Sequence, residues 1–135
     1  PLRQISQKII DLRRSSEPLA MVGIRKPSLH FYSKQIVFYE SNSRVGIINL
    51  SERFEKDKRN NLTDDPNYDS ESFLVVIDKY SFDKAHWKNI KHQQLGVFGI
   101  YNLIRVNRKE LNKYALNFQK IGLKSNWRSE KFERF

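Results

Sequence analysis

The chain has no cysteine, and that single absence removes disulfides, thiol nucleophiles, cysteine-ligated zinc and iron–sulfur clusters together. Proline (4), glycine (5) and methionine (1) are sparse, and no apolar run approaches the roughly 18–20 residues a membrane-spanning helix needs. No secretory leader pattern stands at the amino end, so an intracellular location is expected. The sequence opens at Pro1 without an initiator methionine, as an excised piece of a longer protein would. What remains is 135 residues that are 39% apolar and 13% aromatic, enough for one domain with a conventional core.

Charge is abundant and uneven. The net charge is +10; residues 1–72 hold 12 basic and 10 acidic side chains (+2), while 73–135 hold 13 and 5 (+8). A field of that kind attracts polyanions: nucleic acid, anionic lipid or an acidic protein. The plainer reading is a lysine-rich surface that only confers solubility.

Periodicity divides the chain into alternating elements. Leu2, Ile5, Ile9 and Leu12 recur at helical spacing, predicting an amphipathic helix over 2–14 that Pro18 closes off. Short β runs are expected at Leu19–Ile24, Leu29–Tyr32, Lys34–Glu40 and Arg44–Leu50, the last two forming a hairpin around Ser41-Asn-Ser43. Residues 51–72, almost free of apolar side chains between Phe54 and Phe73, read as a mobile surface loop, chiefly 55–72. Phe73–Asp78 reads as a buried strand. A helix over 82–94 follows, with Ser81 as its N-cap, and then a two-sided strand over Leu95–Val106. Asn107 and Glu110 form a capping-box-like start for a last helix that Gly122 ends. The tail 124–135 carries Trp127, Phe132 and Phe135, with Trp127 expected to dock. Together these predict an α+β domain: a mostly antiparallel sheet of about five strands, with the amino-terminal helix and two later amphipathic helices packed on it, chiefly on one side.

The function reading rests on two lysine stripes. On the 82–94 helix Phe82, Ala85, His86 and Ile90 share one face, Lys84, Lys88 and Lys91 another, with Trp87 on the boundary. On the last helix Lys109, Lys113 and Lys120 lie opposite Leu111, Tyr114, Ala115, Phe118 and Ile121. Lysines aligned in this way suit phosphate contact. Arg105, Arg108 and Asn112 could add polar reading and Trp87 a stacking surface. The leading expectation is therefore a nucleic-acid-binding module, for DNA or RNA, with no cofactor and no metal. Two alternatives stand beside it. One is an interaction or scaffold domain whose basic faces meet an acidic protein partner. The other is a metal-dependent nuclease-like enzyme using Asp78, Lys79, Glu40 and Glu71, although no Asp/Glu-x-Lys spacing is found at the strand. His86 and His92, six apart on the expected helix, do not point together as a metal pair would, and His86 reads as a satisfied core histidine.

Three segments have partial likenesses. Leu95-Gly-Val-Phe-Gly-Ile-Tyr101 resembles the aromatic–glycine strand of RNA-recognition motifs, without its leading basic residue and with the aromatics displaced. Arg108–Ala115 resembles the opening of a helix-turn-helix, but no second helix fits before Gly122. Gln93–Gly99 with Arg105–Gly122 is similar to the carboxyl part of acyl-CoA-dependent acetyltransferases, with Phe98 where that phosphate loop wants glycine.

Overall fold

The computed structural model describes residues 1–60 and 71–129. Helix α1 (Leu2–Leu12) leads into strand β1 (Leu19–Val22), helix α2 (Ser28–Ser33), strand β2 (Val37–Glu40) and helix α3 (Arg44–Asn60). Strand β3 (Ser72–Asp78), the single-turn helices α4 (Lys79–Phe82) and α5 (Ala85–Lys88), and the strands β4 (His92–Phe98) and β5 (Tyr101–Asn107) follow. Helix α6 (Arg108–Lys120) and a 3-10 turn at Trp127–Ser129 complete the described chain.

The five strands lie in the order β2-β1-β3-β5-β4. β1 is parallel to both β2 and β3, whereas β5 is antiparallel to β3 and to β4. The expected α+β sheet of about five strands is present, but it is mixed rather than mostly antiparallel. The helices also cover both faces. Ala20, Val22, Phe73, Val75, Ile77, Ile104 and Val106 face α3 and α6, while Leu19, Met21, Leu74, Val76 and Leu103 face α1 and α2. Every residue of β3 is buried, as a strand covered on both sides requires.

Five local expectations change. Leu29–Tyr32 is helical, not extended, and Lys34 ends that helix in the left-handed region (φ 58°). Arg44–Leu50 starts the long helix α3, so the 34–50 hairpin does not form; Ser43 Oγ accepts from the Gly46 N–H at its start. A short continuous apolar run such as Val45–Leu50 fits a buried helix as well as a strand, and periodicity alone cannot separate them. The 82–94 helix is replaced by α4, α5 and the start of β4. Lys84 is extended (ψ 138°), which breaks the helix, and Asp78, not Ser81, is the N-cap, its side chain accepting from the Ser81 N–H. Leu95–Val106 is two strands joined by a two-residue turn at Gly99 and Ile100. Gly99 takes φ +61°, which a side chain would disfavour. Of the expected loop, 51–60 belongs to α3, while 61–70 lies outside the described residues.

The last helix holds. Asn107 Oδ1 accepts from the N–H groups of Lys109 and Glu110 at 2.8 and 3.2 Å. Leu123 N–H closes the carboxyl end on Phe118 C=O at 3.1 Å beside Gly122. Ile121, expected on the buried face, is 68% exposed.

Trp127 docks on α3 as expected, 6% exposed, with its indole N–H on Glu52 Oε1 at 3.0 Å. Trp127→Ala is expected to cost about 2–4 kcal/mol in chemical denaturation, because an enclosed aromatic leaves a cavity and the Glu52 bond goes with it. Phe132 and Phe135 lie outside the described residues.

Candidate functional site

The connections from β1 and β3 leave the sheet on opposite faces. After β1 the chain runs to α2 on one side; after β3 it runs to α4 and α5, whose Trp87 joins the core on the other. In open α/β sheets the carboxyl ends of two such neighbouring parallel strands are the usual ligand position. Gly23 and Asp78 sit there, one residue beyond the paired Val22 and Ile77.

Asp78 is 7% exposed. Its Oδ2 accepts from the Ser81 N–H at 3.0 Å, while its Oδ1 is buried without a hydrogen-bond partner among the described residues. Ser81 Oγ accepts from Asn42 Nδ2 at 2.9 Å, and His86 Nε2 donates to the Asn42 carbonyl at 2.5 Å, which places a proton on that ring nitrogen. His86 is thus a satisfied, half-buried histidine. The backbone must come close for this to assemble. A Cβ on Gly23, whose φ is +92°, would stand 2.2 Å from Ser81 Oγ and 2.3 Å from Asp78 Oδ1.

Along the same edge the β4–β5 turn, the start of α1 and α2 border an open groove of about 660 Å³ lined by Arg3, Ser28, Tyr32, Ile100 and Tyr101 among others. Arg3 lies over the Tyr32 ring at 5.1 Å. Tyr101 pairs with Asp78 across β3 and β5. Burial first, and the Asp78 charge second, push the Tyr101 hydroxyl above its ordinary range, so it stays a neutral donor. Tyr80, 75% exposed, stands at the rim with Lys84 Nζ 5.3 Å from its ring. At the surface this edge presents Arg3, Ser28, Tyr32, Asn42 and Tyr80, with the Asp78 carboxylate and the Ser81 hydroxyl enclosed beneath Gly23.

Of the residues expected to contact nucleic acid, Lys91, Arg105 and Lys109 line one cleft, while Trp87 and Arg108 are buried. Trp87 is wholly enclosed (0% exposed) and offers no stacking face. Arg105 is held by Glu17 at 2.8 Å and Arg108, 8% exposed, by Glu55 at 3.4 Å. Lys84 leans over Tyr80, and Lys88 and Lys91 stand exposed on separate elements. Lys109, Lys113 and Lys120 do share α6 and are exposed; Asn112 accepts from Ser51 Oγ at 2.7 Å. Of the nuclease set, Glu40 pairs with Arg53 at 2.8 Å and Glu71 is exposed near the start of β3. No group of three or more His, Asp or Glu that could hold a metal occurs among the described residues. Asp78 was singled out from the sequence for a different role, but its grouping with Gly23 and Tyr101 was missed because the three come from segments far apart in sequence. A further legible trace is Gly23 directly after the apolar run of β1.

No helix of the described residues is long and apolar enough to cross a membrane. No curated protein and no solved structure matches the chain. A family profile described as the C-terminal domain of cyanobacterial RgtA-type glycosyltransferases matches residues 12–122. That match overturns the nucleic-acid reading: the positive charge describes a surface potential, and a potential alone does not name a ligand. With most of its length covered, from the end of α1 to the close of α6, the chain belongs to the family of cyanobacterial RgtA-type glycosyltransferase C-terminal domains.

Proposed function

We propose that this domain serves glycosyl transfer by holding the saccharide part of a substrate at the carboxyl edge of β1 and β3. The carrying observation is Asp78: buried at the carboxyl end of β3, with one oxygen used in capping α4 and the other without a hydrogen-bond partner among the described residues. Membership of a glycosyltransferase domain family supports a sugar as the ligand. Sugars present hydroxyls to carboxylates and amides, and apolar C–H faces to aromatic rings, and the edge supplies both kinds of group in Asp78, Ser81, Tyr80 and the Tyr32–Tyr101 groove.

The test titrates the domain with neutral and acidic mono- and oligosaccharides while amide resonances are followed. Saturable shifts at Gly23, Tyr80, Gly99 and Tyr101 are expected. Tyr80→Ala and Tyr101→Phe should each weaken binding by about 0.5–1.5 kcal/mol with the fold intact. Absence of saturable shifts with every sugar, together with unchanged transfer by a full-length transferase carrying Tyr80→Ala and Tyr101→Phe, would overturn the reading.

A further inference from the structure

A second cleft lies at the opposite edge of the sheet, where β5 ends and β3 begins. It has a volume of about 420 Å³, within the range of small-ligand sites. Arg14, Lys91, Arg105 and Lys109 line it, against the single carboxylate Glu110. The floor is rigid. Arg105 donates from Nε to Glu17 Oε2 (2.8 Å) and from Nη2 to Glu17 Oε1 (3.1 Å) and the Leu12 carbonyl (2.7 Å). Its Nη1 makes no bond among the described residues, so a guanidinium locked in position keeps two N–H donors to spend. Arg14, Lys91 and Lys109 likewise have no side-chain partner among the described residues. They come from three separate segments: the end of α1, the approach to β4 and the start of α6. The amides at the start of α6 do not contribute, because Asn107 Oδ1 already takes those of Lys109 and Glu110.

We propose that this cleft binds a phosphoryl group. Cations converging from three directions suit a tetrahedral anion with several acceptor oxygens, whereas a carboxylate is satisfied by a single arginine fork. The one fork here, Arg105, already holds Glu17. A soluble phosphate ester and a lipid phosphate headgroup present the same chemistry to these donors. The inference is independent of the saccharide edge, which lies at the other end of the strands and shares none of these side chains.

The test uses this chain with two probes, pyrophosphate and vesicles of anionic phosphatidylglycerol set against neutral phosphatidylcholine, at about 100 mM salt to screen diffuse attraction. Calorimetric binding of pyrophosphate is expected. Lys91→Gln with Lys109→Gln should weaken it about tenfold or more, since hydrogen bonds to charged groups are removed. The pair Lys113→Gln with Lys120→Gln, equal in charge but placed elsewhere on α6, should leave binding unchanged. Vesicle binding that pyrophosphate competes away, with the same variant sensitivity, assigns a lipid headgroup; pyrophosphate binding without vesicle binding assigns a soluble ester. Failure to bind either probe, or equal losses from both variant pairs, would overturn the proposal.

Discussion

Glu17→Ala is expected to destabilise the fold by about 3–5 kcal/mol, the range for removing one partner of a buried ion pair. Glu17 is fully buried and accepts from Arg105 at both oxygens, from Ser72 Oγ and from the Arg14 N–H. Its loss strands the Arg105 guanidinium in a largely enclosed position and removes the hydrogen bond from Ser72 Oγ. Reversible denaturation should show the midpoint falling while the denaturant slope stays near the wild-type value. Replacing both partners, Glu17→Met with Arg105→Leu, should recover much of the loss, because the uncompensated charge disappears with the pair. A double variant as unstable as Glu17→Ala would sink this account.

The same carboxyl makes stability pH-dependent. Burial alone would raise its pKa, but the Arg105 bond, the Ser72 bond, the Arg14 amide and the Arg105 charge outweigh burial and hold it below the ordinary value. A group with a depressed folded pKa contributes its stability above the unfolded value, about 4.3, and loses it as pH falls through the folded one. The gap in stability between wild type and Glu17→Gln should therefore be full at neutral pH and narrow below about pH 4. A gap that stayed constant down to pH 2 would contradict this assignment.

Gly23→Ala is the second large expected effect, at about 2–4 kcal/mol. Two costs combine. A side chain at φ +92° is strained by about 1–2 kcal/mol, and the new methyl must displace Ser81 Oγ and Asp78 Oδ1, overpacking worth about 1–3 kcal/mol. Gly122→Ala separates the two. Gly122 has φ +102° but nothing within 4 Å of an added Cβ, so it should show the backbone cost alone. If both variants lose the same stability, the crowding of Gly23 against Asp78 is not real. If Gly23→Ala folds but its sugar-induced shifts vanish while Gly122→Ala keeps them, the proposed saccharide edge gains direct support.

Where an element's own residues carried the signal, the sequence was enough. Helix α1 follows from Leu2, Ile5, Ile9 and Leu12, β3 from an unbroken apolar run, and α6 from Asn107 at one end and Gly122 at the other. Each is decided by contacts within a few residues or by burial on every side, so local pattern and final structure agree. The α+β class and the approximate strand number follow from those same runs. Tertiary structure decided the rest. Val45–Leu50 could have been strand or helix, and Ser43 capping with core space beneath the sheet made it α3. Residues 82–94 have helical periodicity, yet β5 offered His92–Gln94 an edge to pair with, and the helix gave way to two single turns. The strand directions likewise depend on which neighbours meet, and β1 acquired parallel partners on both sides that no local signal announces. The function followed the same division: charge could be counted from the sequence, but its use could not. Folding spent Arg105 and Arg108 on Glu17 and Glu55 and enclosed Trp87, while it brought Gly23, Asn42, Asp78 and Tyr101 together from four separate segments. Long-range pairing of this kind is set by the geometry of the whole chain, which residue order encodes only through folding.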